Sequence, residues 1–166
     1  MVPYLGKIRD KTRSYIIDIG GYTNRRGDAE KGGEPDLDFC ESFNAGVIRM
    51  FDQVQRVVRN RHRRELDDYM VDAILRGTLD PGDAIRNAAF EAASSYARTL
   101  ISSLREKGVD LDIAYPILIG GGSALMKDVI VSELGSPEYL HVEDVRANAI
   151  GYQLLAKARM NHDEAG

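Results

Sequence analysis

The sequence predicts an α/β domain: a mixed sheet of five strands, the first three an antiparallel meander, with helices on both faces. Three observations carry this prediction. A β-branched apolar run from Ser14 to Gly20 opens the chain's periodic part, helical apolar spacing starts near Asn44, and strands alternate with helices after Ile113. An opening meander followed by strand–helix alternation is typical of a mixed sheet covered by helices.

The first three strands come from short runs separated by turn residues. Ser14 to Gly20 forms the first strand, and Gly20-Gly21 bends or ends it. The polar, glycine-containing stretch from Asn24 to Pro35 indicates a hairpin whose second strand is short. The third strand covers Asp36 to Phe43.

Three helices follow in the central part of the chain. Apolar residues recur at three- and four-residue steps from near Asn44, which predicts an amphipathic helix. A shorter helix spans 66–75 and is ended by Gly77. Asp83 is the expected N-cap of a long helix that Gly108 ends, and the alanine-rich face of this helix predicts close packing on the sheet.

In the C-terminal part of the chain, the apolar pattern of a strand alternates with that of a helix. The pattern predicts a strand over Ile113–Ile119, a helix over Ser123–Glu133, a short extended segment over Tyr139–Val142 and a last helix over Val145–Met160. This alternation places the fourth and fifth strands in the same sheet as the meander.

The length and composition favour one compact domain. The chain has 166 residues, of which 43% are hydrophobic and 29% charged, enough for one full core. Residues 1–13 are expected to be a linker or an incoming connection, residues 14–160 the domain, and residues 161–166 a disordered tail. The sequence shows no apolar run near the roughly 20 residues that cross a bilayer and no signal-peptide core, which predicts a cytoplasmic protein.

The cysteine and histidine content argues against a disulfide framework or a structural zinc site. Cys40 is the single cysteine, and no Cys/His cluster has metal-site spacing. The histidines are interpreted as surface or packing residues: His62, His141 and His162.

The charge pattern disfavours a protein that coats nucleic acid by itself. The formal net charge is −4 and the pI is near 5.4. Five arginines nevertheless crowd one short stretch: Arg56, Arg59, Arg61, Arg63 and Arg64. They suit DNA phosphates or an acidic partner, but the favoured interpretation is the solvated, basic end of a helix.

Two apolar runs end in glycine-rich loops, and they make a nucleotide the best candidate for a ligand. The first runs through Tyr15–Thr23 and the second through Tyr115–Ser123. A buried strand fixes where each loop begins, and glycines without Cβ let backbone N–H groups approach a phosphate or sugar. The second loop continues into Ala124–Ile130, which has helical spacing, so it faces a positive helix N-terminus.

Asp18 ends an apolar strand, where burying an unpaired carboxylate is costly. That cost suggests a role in holding a Mg²⁺-bound water, while Gly20, Gly21 and Thr23 offer N–H and hydroxyl groups to a terminal phosphate. Alternatively, Asp18 caps the turn, and the triple glycine serves tight helix–sheet packing or a strand-to-helix turn. Neither loop is a Walker P-loop or a full dinucleotide-binding pattern.

These motifs resemble those of the actin, sugar kinase and heat-shock chaperone superfamily. Asp18–Thr23 looks like its second phosphate motif, and Ile117–Met126 looks like its adenosine motif. Within the superfamily, Ser42–Ile48, the long helix before the triple glycine and the ending Asp144–Tyr152 are similar to the ParM/StbA plasmid-segregation actins. The resemblance covers nearly everything from residue 14 to residue 157.

The resemblance implies a ribonuclease-H-like fold and a bacterial, ATP-dependent filament that moves plasmid copies apart. The filament is tethered to DNA through a separate centromere-binding adaptor, without direct nucleic-acid or membrane contact. The implied cofactors are ATP or ADP and Mg²⁺, and Asp18 is the implied catalytic residue, positioning Mg²⁺ through water. The implied nucleotide-binding residues are Gly20, Gly21, Tyr22, Thr23, Gly120, Gly121, Gly122, Ser123 and Leu125, with Met126 as a further candidate for the adenine wall.

Two departures qualify what the resemblance implies. The family has two similar halves that close on the nucleotide, and this sequence resembles the second, C-terminal half alone, so ATP hydrolysis is expected of an intact two-domain protein rather than of this chain. Arg25 stands where family members commonly carry an aspartate. The alternatives left open are a non-enzymatic interaction module, or half of a sugar kinase or activator ATPase.

Overall fold

A computed structural model of the chain describes residues 13–20, 24–30, 35–43, 46–110, 115–134, 138–144 and 146. Nine elements lie within these ranges: β1 (Arg13–Ile19), β2 (Asn24–Glu30), β3 (Pro35–Phe43), α1 (Val47–His62), α2 (Asp68–Leu75), α3 (Asp83–Glu106), β4 (Tyr115–Ile119), α4 (Ser123–Leu134) and β5 (Leu140–His141).

The sheet has the strand order β3-β2-β1-β4-β5. β1 pairs with β2 and β2 with β3 in antiparallel fashion, whereas β1 pairs with β4 and β4 with β5 in parallel. The α/β class and the antiparallel opening meander are therefore confirmed. The parallel pairs require a long crossover connection, which the helices between the strands supply.

The core lies between the two central strands and the helices. Along β1, the buried apolar residues alternate as Tyr15, Ile17 and Ile19, and β4 contributes Leu118 to the same core. Because side chains alternate across a strand, the odd-numbered positions of β1 face the helices.

Helix α3 packs against the other helices, and its alanine-rich face belongs to the same hydrophobic core as the buried face of β1. Its buried face carries Ala88, Ala89, Ala92, Ala93 and Ala97, and its main contacts are with α1, α4 and α2. Small side chains let α1 approach so closely that the Gln53 Nε2 donates a hydrogen bond to the Ala92 carbonyl at 3.2 Å.

Helix α1 begins three residues later than expected, because Gly46 is still extended with φ −83° and ψ −178°. The long helix α3 is capped by Gly82 rather than by Asp83, which is its first helical residue. The φ of Gly82 is +87°, a conformation that favours glycine over aspartate. Asp83 instead lies in the first turn, where its charge suits the helix dipole and pairs with Arg86 at 2.8 Å.

The arginine-rich stretch is the exposed end of α1, as the favoured interpretation predicted. Arg59, Arg61 and His62 lie in the last turn, and Arg63 caps the helix with φ +55°. Arg61 is hydrogen-bonded to Glu91 on α3.

Some predictions fall outside the described residues. These are residues 145 and 147–160 of the predicted last helix, the N-terminal connection up to residue 12 and the tail 161–166. The placement of helices on both faces of the sheet stays a prediction. Among the helices that the structure describes, none is both long and apolar enough to cross a membrane.

Candidate functional site

The two glycine-rich segments leave the sheet side by side. β1 and β4 are parallel neighbours, with Asp18 in register with Ile119, so both strands end at the same edge of the sheet. The strand that follows β1 in the chain, β2, pairs with β1 on the side away from β4. The strand that follows β4, β5, pairs with β4 on the side away from β1. In open α/β sheets, ligands bind outside the carboxyl ends of strands at such a change of direction.

Asp18 lies directly against Gly120, so the two predicted motifs are in contact. Gly120 has φ +90°, and a Cβ added to it would collide with the Asp18 carboxylate and lie 2.7 Å from the Ile19 carbonyl oxygen. The Gly122 N–H donates to that same Ile19 carbonyl at 2.9 Å. Only a residue without a side chain fits where Gly120 meets the end of β1.

The start of α1 joins the same cluster. The Val47 N–H donates to the Gly20 carbonyl at 3.1 Å. A Cβ on Gly122 would overlap the Val47 side chain and lie 2.8 Å from the Ile19 Cγ2. Three segments far apart in the sequence thus meet at one edge of the sheet.

The three consecutive glycines have different surroundings. Gly120 and Gly122 are enclosed by protein atoms, whereas a Cβ on Gly121 would have no atom of the described residues within 4 Å, and Gly121 is exposed. The φ of Gly121 lies outside the left-handed region that favours glycine. The packing interpretation therefore accounts for two of the glycines, and Gly121 is the one that faces open space.

Ser123 begins α4 and is 1% exposed. Its hydroxyl donates to the Gly120 carbonyl at 2.7 Å and lies 2.9 Å from His141 Nε2 on β5. The side chain is therefore engaged within the loop. Among the other candidates, Leu125 is partly buried against the core, and Met126 is 1% exposed.

Neither a family model nor a curated protein matches this chain. Among solved structures, the chain is similar to Ta0583, an archaeal actin homolog, with a TM-score of 0.70 and 20% identity over 93% of this chain and 52% of that one. The same homolog in complex with ADP matches with a TM-score of 0.67 and 20% identity, over 95% of this chain and 54% of that one.

Two ParM structures show the same likeness. The pCBH ParM non-polymerisable quadruple mutant matches with a TM-score of 0.68 and 18% identity, over 92% of this chain and 49% of that one. The apo psk41 ParM protein matches with a TM-score of 0.66 and 16% identity, over 95% of this chain and 44% of that one. The fold is actin-like. The chain spans about half the length of these proteins.

The actin-like domain brings together only part of the predicted site within the described residues. Asp18, Gly20 and the triple glycine converge, whereas Gly21, Tyr22 and Thr23 lie outside the described residues. Arg25, the departure from the family pattern, is directly opposite Asp18 in the antiparallel register of β1 and β2. The register of β1 and β2 thus places a basic residue next to Asp18 in the sheet.

His141 is the residue of this actin-like domain that sequence reasoning missed. It was interpreted as a surface or packing histidine, yet its ring is hydrogen-bonded to the first residue of α4. Burial and then the charge of Lys127 lower the pKa of His141, and Glu143 and Asp128 oppose that shift. No local pattern links residues that are 18 positions apart.

The stability of the domain is expected to fall as the pH drops below about 6.5, partly through His141. Because the folded-state pKa is lowered, the unfolded chain binds this proton first, so the stabilisation is present above the ordinary pKa and is lost as the pH falls through the folded-state value. Urea unfolding of the unsubstituted chain and of His141→Gln, from about pH 7.5 to about pH 5.5, measures this contribution. A difference in unfolding free energy that does not change with pH would contradict the prediction.

Proposed function

We propose that this chain is the second nucleotide-binding domain of an actin-like ATPase and that it binds ATP or ADP with Mg²⁺ at the shared edge of β1 and β4. One observation carries the proposal: Asp18 lies against Gly120 at the ends of two parallel strands, with Gly121 open beside them. The ADP complex of the archaeal actin homolog supports the choice of nucleotide.

The adenosine end of the nucleotide is assigned to the loop 120–123. Gly121 offers backbone without a side chain, and in the described part of the structure no atom lies within 4 Å of the place where its Cβ would be. Helix α4 starts directly after this loop, so its positive end faces the same space. Because the Ser123 hydroxyl is hydrogen-bonded to Gly120, Ser123 is proposed to contribute its backbone rather than its side chain to nucleotide binding.

The phosphate end is assigned to the β1 side of the crevice. Gly20, Gly21, Tyr22 and Thr23 are proposed to hold the terminal phosphates, and Asp18 to hold Mg²⁺ through water. Mg²⁺ usually keeps several waters and takes one or two carboxylates plus substrate phosphates, so one partly buried carboxylate at the edge of the sheet fits this ion. Within the described residues, no group of three or more histidines, cysteines and carboxylates forms an all-protein metal site. The metal would neutralise charge on the phosphates, and Asp18 would orient its bound water.

The activity of the whole protein is a wider proposal. We infer a domain over residues 14–160, ATP hydrolysis in a two-domain protein, filament assembly, a centromere-binding adaptor and a role in plasmid partition in the bacterial cytoplasm. The likeness to a pCBH ParM that was studied as a non-polymerisable mutant supports the filament assembly in this proposal. Since a two-sided cleft supplies contacts from both halves, this chain alone is expected to bind nucleotide weakly.

Replacing Gly121 by valine is expected to weaken Mg²⁺–ADP binding at least about tenfold without destabilising the fold. Among the described residues, nothing lies within 4 Å of the place where the new Cβ would be, so a loss of affinity reports a ligand that approaches Gly121. An NMR titration of the labelled chain with Mg²⁺–ADP measures the affinity, and a thermal melt measures stability.

Ala84→Val is the control, since it places the same isopropyl side chain at an exposed position on α3. It should bind Mg²⁺–ADP like the unsubstituted chain. Unchanged affinity for Mg²⁺–ADP in Gly121→Val would contradict the assignment of adenosine to this loop. An unsubstituted chain that shows no saturable response to Mg²⁺–ADP would refute the nucleotide proposal as a whole.

A further inference from the structure

We propose that His141 is a positioning residue that holds the loop 120–123 in its ligand-ready form through Ser123. The choice of Mg²⁺–ADP as the ligand rests on the proposed function, whereas the ordering of the loop by His141 does not. The observation is a chain of two contacts: His141 Nε2 lies 2.9 Å from Ser123 Oγ, and that hydroxyl donates to the Gly120 carbonyl at 2.7 Å.

The direction of the hydrogen bonds follows from counting protons. A serine hydroxyl carries one proton, and a carbonyl oxygen only accepts. The Ser123 proton is therefore directed at Gly120, so His141 Nε2 must carry a hydrogen and donate it to Ser123 Oγ. Both the neutral Nε2–H tautomer and the imidazolium meet this requirement.

The hydrogen bond from His141 to Ser123 and the one from Ser123 to Gly120 together form a relay. This relay stabilises the loop from the side opposite Asp18. The carbonyl of Gly120 accepts from the Ser123 hydroxyl and also from the Ser123 N–H at 3.1 Å. On the other side, Gly120 rests against Asp18 and Ile19. Gly120 is thus held from both sides in its positive-φ conformation, and the open Gly121 follows it directly.

His141 has a defined place in the sheet from which to act. It is in register with Leu118 in the parallel pair of β4 and β5, and the Val142 N–H donates to the Leu118 carbonyl at 2.9 Å. The imidazole is therefore carried by a strand rather than by a loop. A group held on a strand orders its partner and so reduces the entropy that ligand binding would otherwise cost.

A glutamine and an asparagine at position 141 separate hydrogen bonding from bulk. The amide nitrogen of glutamine lies about as far from the backbone as Nε2 does and donates like it, whereas that of asparagine is one bond shorter. His141→Gln should therefore preserve the relay, and His141→Asn and Ser123→Ala should break it. Ser102→Ala, at an exposed position on α3, is the control for loss of a hydroxyl.

Native-state hydrogen exchange of the Gly122 and Ser123 amides measures the order of the loop without any nucleotide. In His141→Asn and Ser123→Ala, these amides should exchange up to about tenfold faster, the range that one net hydrogen bond supports. The affinity for Mg²⁺–ADP should fall by a similar factor. His141→Gln and Ser102→Ala should stay within about twofold of the unsubstituted chain. The double variant His141→Asn/Ser123→Ala should lose no more than either single one, because both break the same relay.

Unchanged amide exchange in His141→Asn would overturn the inference, whatever the nucleotide does. So would equal impairment of His141→Gln and His141→Asn, which would point to the bulk of the ring instead of its N–H. If the exchange rates follow the prediction while the unsubstituted chain binds no Mg²⁺–ADP, the proposed function fails and the ordering of the loop by His141 stands.

Discussion

Replacing Gly120 by alanine is expected to lower the free energy of unfolding by about 2–5 kcal/mol. The φ of +90° disfavours any L side chain, and the new Cβ would be pushed against the Asp18 carboxylate and the backbone of Ile19. Backbone atoms of a central strand do not move aside cheaply, so strain and overpacking add together. Urea unfolding at neutral pH, followed by circular dichroism, measures the loss.

Gly82→Ala is the control that separates the two causes. Gly82 has φ +87°, close to that of Gly120, but in the described part of the chain nothing lies within 4 Å of the place where its Cβ would be. This variant should lose only the backbone contribution, about 1–2 kcal/mol. Equal losses in the two variants would mean that Asp18 and Ile19 do not crowd Gly120.

Leu118→Ala is expected to cost about 2–5 kcal/mol of unfolding free energy, a large fraction of the stability of a domain of this size. Leu118 is 0% exposed and lies on β4, between β1 and β5. Its removal leaves a cavity that a strand paired on both sides has little freedom to close. A urea titration and a thermal melt both report the change.

Leu79→Ala makes the same chemical change at the surface, because Leu79 is 39% exposed. It should alter the unfolding free energy by less than about 0.5 kcal/mol. A comparable loss in Leu79→Ala, or no loss in Leu118→Ala, would contradict the central position of β4.

The strands and helices could be predicted because their signals are local. The burial of every second residue in β1, at Tyr15, Ile17 and Ile19, follows from the two-residue period of a strand. The three- and four-residue steps of α1 follow likewise from the helical period, and Gly108 ends α3 with φ +81° as a glycine can. The predicted N-cap of α3 was wrong by one residue, because Asp80 and Gly82 form a turn that residue propensity alone does not place.

The sequence by itself determined which segments become strands and helices and that two glycine-rich loops follow buried strands, since these properties depend on neighbours within one or two turns of chain. Only the tertiary structure decided that Asp18 meets Gly120, that Gly121 is the one glycine of the three with no described residue close to the place of its Cβ, and that His141 reaches Ser123. Those contacts depend on the parallel register of β1, β4 and β5, which brings together residues that are far apart in the sequence. Identical glycines therefore acquire different roles from the atoms that surround them, and a sequence motif does not list those atoms.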